Sequence, residues 1–171
     1  MHAVVSQSAF LSRLLDRRPR GVPAERLVRL LALEARPRSI LVIGDDRAHT
    51  AVEQAFPLAR VDRVAGVAPG SPLHTEPSGQ HDAILCVQGL THGFKSDQDL
   101  ARQLVAHLPE GGHLAILELT GVPEIQAVLG GAPLVESLSD VLVPLHLSKE
   151  SVSMGVWRHM LFVGRKGRVI R

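Results

Sequence analysis

The sequence has 171 residues, of which 45% are hydrophobic, and its formal net charge is +2. This length and composition indicate one globular domain with a core of its own and exclude a disordered tail. No apolar run approaches the roughly 20 residues that cross a bilayer, and the N-terminus lacks the features of a signal peptide, so we expect a cytoplasmic protein with no membrane partner.

The first part of the chain predicts two helices joined by a connector. Residues 4–17 form the first of them, and "RRPRGVP" ends it because proline and glycine interrupt helices. The next segment, "PAERLVRLLALEA", places three leucines on one face at helical spacing, and Pro23 suits its first turn. We therefore expect residues 1–22 to be a helix and connector and residues 23–171 to be the domain.

After this second helix, short apolar runs alternate with polar stretches that can form helices. This alternation is typical of a parallel sheet covered by helices. The predicted strands are residues 39–44, 61–67, 82–87 and 113–119. The predicted helices are residues 47–56, 97–108 and a short one at 123–130. Cys86, the single cysteine, excludes an internal disulfide and is expected to be a buried apolar residue in the third strand.

The last third of the chain lacks this alternation. Two β-prone segments, "PLVESLSDVLVPLHL" and "GVWRHMLFVGRK", follow each other with little between them. They would most simply pair antiparallel as a hairpin at one end of the sheet. The sequence therefore predicts an α/β fold in which a mostly parallel sheet ends in an antiparallel hairpin.

This order of elements and three segments together resemble the class I S-adenosylmethionine-dependent methyltransferases. "HDAILCVQGLTH" is similar to the family's fourth-strand segment, "LARQLVAHLPEGGHLAILE" to its next helix, turn and fifth strand, and "MLFVGRK" to the end of its closing hairpin. The resemblance implies a three-layer Rossmann-like fold from about residue 24 to residue 166. Such motifs identify a fold better than an activity.

In that family a glycine-rich turn after the first strand admits the cofactor, because a Cβ would clash there and the turn uses positive φ. In "ILVIGDDRA", Gly44 keeps the first glycine, whereas the second falls on Asp46 and the third on Ala48. The acid within the strand falls on Val42, and the acid that binds the ribose hydroxyls after strand two falls on Ala68. Four expected cofactor positions therefore depart from the family pattern.

A fifth departure is the short segment between the predicted strands at 61–67 and 82–87, which correspond to strands two and four of the family. Only "APGSPLHTEPSGQH" stands there, and its prolines and glycines exclude a helix, so we expect a shortened region and an exposed edge at strand two. The end of the fourth strand, where the family has catalytic or cofactor contacts, holds Gln88 and Gly89. Asp82 matches an acid at the start of that strand that is mostly structural in the family.

The resemblance leaves two functions open. An active small methyltransferase would use Asp45 or Asp46 for the cofactor's ammonium group and His92 as a base, although His92 also suits a capping or packing role. A degenerate protein with weak or lost S-adenosylmethionine binding would instead be a binding module, either a homodimer or bound to a protein partner through the exposed sheet edge. The five departures favour the second function.

Other interpretations apply to parts of the sequence. Asp45 and Asp46 are also similar to the Mg²⁺-binding pair of response-regulator receiver domains, but Val87 or Gln88 stands where the phosphoacceptor aspartate is needed. GxGxxG is absent, which argues against a dinucleotide site. In the simplest interpretation Asp46 caps the helix that follows it.

The remaining charge and histidine patterns give weak signals. The nine histidines show no paired spacing, so the sequence supports no metal site. "RLLDRRPR" and "GRKGRVIR" are basic clusters that leave nucleic acid open as a partner. Aromatic residues, which stack on single-stranded bases, make up only 3% of the chain. Solvated termini are therefore the simpler explanation of these clusters.

Overall fold

The computed structural model describes residues 24–44, 46–64, 80–87, 103–121, 141–144, 150–154 and 157–167. Several predicted features lie outside these residues, namely the helices at 4–17 and 123–130 and the candidate site residues Asp45, Ala68, Gln88, Gly89 and His92. In the part of the chain that the structure describes, no helix is long and apolar enough to cross a membrane.

Seven strands of the described chain form one mixed sheet. They are β1 (Ser39–Ile43), β2 (Arg60–Val64), β3 (Ala83–Cys86), β4 (His113–Gly121), β5 (Leu142–Pro144), β6 (Glu150–Met154) and β7 (Trp157–Lys166). Their spatial order is β2-β1-β3-β4-β7-β5, and β6 pairs with β7 beside β5. β2, β1, β3 and β4 run parallel, whereas β7 is antiparallel to its neighbours. The predicted α/β class, with an antiparallel end, is confirmed.

Helices cover both faces of this sheet. α1 (Ala24–Glu34) and α2 (Asp46–Ala55) pack on one face, and residues 103–107, the described part of a third helix, pack on the other. The leucines that gave α1 its predicted apolar stripe are buried in the cluster beneath it. The fold therefore has the three layers that the resemblance implied.

Two apolar clusters hold the layers together, one on each face of the sheet. Because successive strand residues point to opposite faces, β1, β3, β4 and β7 each contribute to both clusters. The cluster on the α1 and α2 face includes Ile40, Val42, Leu85, Ala115 and Val163, and the cluster on the other face includes Leu41, Ile43, Ile84 and Ile116 together with Leu104 of the third helix. Every residue of β3 is fully buried, including Cys86 as expected. This burial on both faces is typical of a central parallel strand.

The C-terminal third differs from the prediction by one strand. β5 and β7 pair antiparallel as expected, but β6 lies between them in the chain. β5 lies opposite residues 164–166 of β7, and β6 lies opposite residues 157–161. The sequence of β6, "ESVSM", has small polar residues around one valine, so it carried too little apolar signal to be recognised.

Asp82 joins the amino ends of β1 and β3. Its Oδ2 accepts the backbone N–H of Arg38 at 2.9 Å and that of Ser39 at 3.2 Å. In return the Asp82 amide donates to Ser39 Oγ at 3.1 Å. The carboxylate therefore aligns the two central strands, which is the structural role that the family resemblance implied for it.

Candidate functional site

Ligands in open α/β sheets bind outside the carboxyl ends of the parallel strands. In this protein the described residues at that end include Gly44, Val64, Val87 and Gly121, together with the first turn of α2. The Gly44 amide donates to the Val64 carbonyl at 3.2 Å, and the Val87 amide donates to the Ile43 carbonyl at 2.9 Å. The backbones of β2, β1 and β3 therefore stay side by side up to the point where a ligand would be met.

Gly44 occupies a position with little room for a side chain. A Cβ there would lie 3.2 Å from Val87 Cβ and 3.5 Å from Ala48 Cβ. These neighbours are the protein's own side chains, and Val87 would have to shift by a few tenths of an ångström to admit the Cβ. The expectation of positive φ is wrong at this residue, since the only positive-φ glycine among the described residues is Gly111. Glycine at this position lets β3 and α2 approach β1 closely.

Two other cofactor positions of the family serve the core in this protein. Val42 and Ala48 are both fully buried in the cluster on the α1 and α2 face. Ala48 faces Gly44, so it serves the close packing of helix on strand, for which one methyl group is small enough. A carboxylate at Val42 would be surrounded by apolar side chains and would lose its hydration. At the position of the family's acid, this protein therefore has a core residue, Val42.

Asp46 makes an ion pair across this end of the sheet. It is the first residue of α2, its side chain is 89% exposed, and its Oδ1 accepts a hydrogen bond from Arg63 Nη1 of β2. A carboxylate in the first turn also complements the positive end of the helix. Asp46 was predicted to precede the helix as its cap, whereas it is itself the first residue of α2.

A second polar group, which the sequence did not indicate, lies on the other face of β2. Asp62 Oδ2 is 2.7 Å from His81 Nε2, and His81 Nδ1 is 2.7 Å from His107 Nε2. The two rings stack with their centroids 5.0 Å apart. His81 is completely buried, with 0% of its surface exposed to solvent. It is the one buried polar residue among those described. We call Asp62, His81 and His107 the Asp–His–His triad.

The triad brings together groups that are distant in sequence. His81 is separated from Asp62 by 19 positions and from His107 by 26, which matches no motif spacing. Burial, and next the neighbouring His81, lower the pKa of His107. Within the described ranges, no three His, Cys, Asp or Glu residues are placed to hold a metal ion. The geometry of the triad is that of a hydrogen-bonded series, because Asp62 and His107 occupy different nitrogens of His81.

A cleft of about 360 Å³ lies at the opposite, amino end of the strands. The end of α1 and the turn at 109–112 line it, together with Asp82 and His113. Burial, and next Arg165, lower the pKa of His113, and Glu34 partly offsets them. Asp82 Oδ2 is already bonded to two backbone amides, so this oxygen serves the strands and not a ligand.

Comparison with known proteins found no matching protein-family model and no matching curated protein. Solved structures do match. N-methyltransferase NodS from Bradyrhizobium japonicum WM9 gives a TM-score of 0.59 at 15% identity, covering 85% of this chain and 94% of that one. A 1,6-didemethyltoxoflavin-N1-methyltransferase from Burkholderia thailandensis, solved with S-adenosylhomocysteine bound, gives 0.63 at 16% identity, covering 98% and 89%.

TrmN from Thermus thermophilus gives a TM-score of 0.51 at 21% identity, covering 89% of this chain and 51% of that one. At such identities the likeness concerns the fold. It agrees with the sheet order, in which β7 is antiparallel to β4. A receiver domain has an all-parallel sheet, so the receiver interpretation of Asp45 and Asp46 is wrong.

Proposed function

Because the chain has the fold of the class I S-adenosylmethionine-dependent methyltransferases, we propose that it is a methyltransferase-like binding module whose cofactor position is obstructed. The observation that carries this proposal is the ion pair between Asp46 and Arg63. It joins α2 to β2 at the carboxyl ends of the strands, where the family's second glycine leaves room for the cofactor.

The ion pair opposes cofactor binding in two ways. A carboxylate side chain stands in place of a glycine hydrogen, and the charge of Asp46 is already matched by Arg63. The guanidinium also brings a positive charge toward a ligand that itself carries a sulfonium and an ammonium group. An exposed pair contributes only about 0–1 kcal/mol, so the obstruction also depends on the missing acids at Val42 and Ala68.

Active methyl transfer is the alternative, and one observation favours it. Gly44 and the buried Ala48 keep β1 and α2 in close contact, as the family's glycine turn requires. In this alternative Arg63 moves aside, and Asp45 or Asp46 binds the cofactor's ammonium group. His92 then serves as the base.

Calorimetric titration with S-adenosylmethionine and S-adenosylhomocysteine distinguishes the two functions. We expect the wild-type protein to bind neither compound more tightly than about 100 μM, which corresponds to about 5.5 kcal/mol. Asp46→Gly, which restores the glycine and removes the pair, should bind at least about tenfold more tightly, a gain of about 1.4 kcal/mol. Tighter binding by the wild type would overturn the degenerate interpretation.

A matched control separates the ion pair from general effects on α2. His49 lies on the same helix and interacts with Glu53 one turn later, with 3.5 Å between Nδ1 and Oε2. His49→Gln should therefore leave the titrations unchanged. If Asp46→Gly gains no affinity either, the Asp46–Arg63 pair is not the obstruction.

The proposed module assembles through the β2 edge, as a homodimer or with a protein partner. In the part of the chain that the structure describes, β2 is the end strand and pairs with β1 alone. Unpaired strand edges bind other strands through their free backbone groups. Light scattering after gel filtration tests this, and a monomer at about 100 μM with no copurifying protein would contradict it.

A further inference from the structure

The Asp–His–His triad links three separate elements by two hydrogen bonds. Asp62 lies on β2, His81 lies two residues before β3, and His107 ends the helical residues 103–107. An ionised carboxylate can only accept, so His81 Nε2 carries the proton that points at Asp62. In a neutral ring Nδ1 is then an acceptor, and His107 Nε2 donates to it.

The number of protons that this arrangement tolerates follows from its geometry. One added proton leaves a donor facing an acceptor between the two rings, and it makes that hydrogen bond charge-assisted. A second added proton makes both rings imidazolium, so that two N–H groups face each other across 2.7 Å. That contact is repulsive, and His81 has no access to water that could separate the rings.

The charged groups around the triad strengthen this limit. Arg60 Nε on β2 is 3.2 Å from the same Asp62 oxygen that bonds to His81. On the helix side, Lys166 Nζ of β7 donates to the carbonyls of Val105 and Leu108, which flank His107. Both neighbours are cations, so neither supplies a negative charge that would balance a second proton on the rings.

We propose that the Asp–His–His triad is a pH-sensitive latch, which holds β2 to the third helix when it carries at most one added proton and opens when it takes a second. The triad tolerates the first proton because Asp62 balances it, and it resists the second because two N–H groups would then face each other. Opening separates Asp62 on β2 from His107 on the helix. The latch acts independently of any cofactor.

The sign of the effect follows from the lowered pKa of His107. Below the ordinary histidine pKa of about 6.5, the unfolded chain binds a proton that the folded protein resists. The stabilisation is therefore complete above about pH 6.5, falls as the pH decreases, and is lost once the pH passes below the folded pKa.

Urea unfolding between about pH 7.5 and pH 5 tests the latch on wild type, His107→Gln and His49→Gln. Glutamine at 107 keeps an N–H donor for His81 Nδ1 but takes up no proton. Between these two pH values we expect the equilibrium constant for folding to decrease by a factor that is at least about threefold smaller in His107→Gln than in the wild type. One unit of pKa shift corresponds to about a tenfold change in this constant. His49→Gln should lose as much as the wild type. Equal losses in all three proteins would overturn the latch.

A titration of the histidine ring signals by NMR gives a second test that needs no variant. In the wild type we expect His107 to titrate below the ordinary histidine pKa, with the amide signals of β2 and residues 104–108 moving in the same step. A His107 ring that titrates near pH 6.5, or a step that leaves these amides unmoved, would overturn the proposal.

Discussion

β2 and β3 lie on either side of β1 and both pair with it in parallel, yet different interactions hold them in the sheet. All four residues of β3 are fully buried and belong to the two apolar clusters. None of the five residues of β2 is fully buried, and two of them are exposed. Neighbouring residues of β2 instead make polar contacts on opposite faces. Arg63 pairs with Asp46 on one face, and Asp62 bonds to His81 on the other.

The difference shows that one sheet can hold its central strand by apolar burial and its end strand by polar contacts. Apolar burial does not depend on pH, whereas hydrogen bonds and ion pairs change with protonation. β3 is therefore held by burial that pH does not change, and β2 is held by contacts that protonation can change. The proposed obstruction by the Asp46–Arg63 pair and the proposed pH latch both depend on this property of β2.

The largest difference between the two strands should appear when apolar side chains are shortened. Leu85→Ala in β3 removes a fully buried side chain, and we expect the free energy of unfolding to fall by about 2–5 kcal/mol. Val61→Ala in β2 removes part of a half-buried side chain and should cost about 1 kcal/mol or less. Urea unfolding of both variants measures this, and equal losses would contradict the comparison.

The attachment of β3 at its amino end should have the next largest effect. Asp82→Ala leaves the amides of Arg38 and Ser39 without their acceptor, and we expect a loss of about 1–3 kcal/mol. Asp82→Asn keeps an acceptor oxygen and should lose less. The same unfolding measurement checks both, and an Asn variant as unstable as the Ala variant would assign the effect to charge instead.

Lys166 tests how the third helix is fixed to the sheet. Its Nζ donates to the carbonyls of Val105 at 2.7 Å and Leu108 at 2.6 Å, which satisfies the end of that helix. Lys166→Met keeps the apolar stem and removes both bonds, so we expect a loss of about 1–2 kcal/mol in thermal or urea unfolding. No loss would mean that water replaces the ammonium group without cost.

A histidine distant from β2 separates the latch from ordinary acid sensitivity. The pKa of His113 on β4 is lowered by burial and then by Arg165, so this residue also stabilises the fold above about pH 6.5 and less below it. Because solvent screens it partly, His113→Gln should reduce the loss between about pH 7.5 and pH 5 by less than about 1 kcal/mol. Its effect should add to that of His107→Gln. Non-additive effects would mean that the two sites are coupled.

The smallest effect on stability is expected at the exposed ion pair. Arg63→Ala should change the free energy of unfolding by no more than about 1 kcal/mol, because exposed pairs contribute little. A double-mutant cycle with Asp46→Ala isolates the coupling between the two side chains. A coupling well above 1 kcal/mol would show that the pair is a main attachment of β2.

Much of the fold could be predicted from the sequence, for identifiable reasons. The apolar runs of β1 and β3 and the leucine spacing of α1 are strong local signals, because those elements are buried by many side chains of one kind. β6 was missed because its side chains are mostly small and polar. The family resemblance implied a turn with positive φ after β1, whereas Gly44 has no positive φ and a Cβ there would only crowd Val87.

The candidate site was less predictable because its contacts join residues that no local pattern connects. Gly44 and Asp46 were identified, but the partner of Asp46 is Arg63 on the neighbouring strand. The Asp–His–His triad depends on how β2, β3 and the third helix are packed together, which residue types alone do not specify. The homodimer, the cytoplasmic location and the roles of Asp45, Ala68, Gln88, Gly89 and His92 stay predictions.

The most direct test of the different attachment of β2 and β3 is native-state hydrogen exchange of their backbone amides at about pH 7.5 and pH 5.5. The Arg60 amide, bonded to the Arg38 carbonyl at 2.8 Å, reports on β2, and the amides of β3 serve as the internal reference. We expect β2 to open at a lower free energy than β3, and acid to lower the opening free energy of β2 but leave that of β3 unchanged. Equal opening free energies at both pH values would contradict this account.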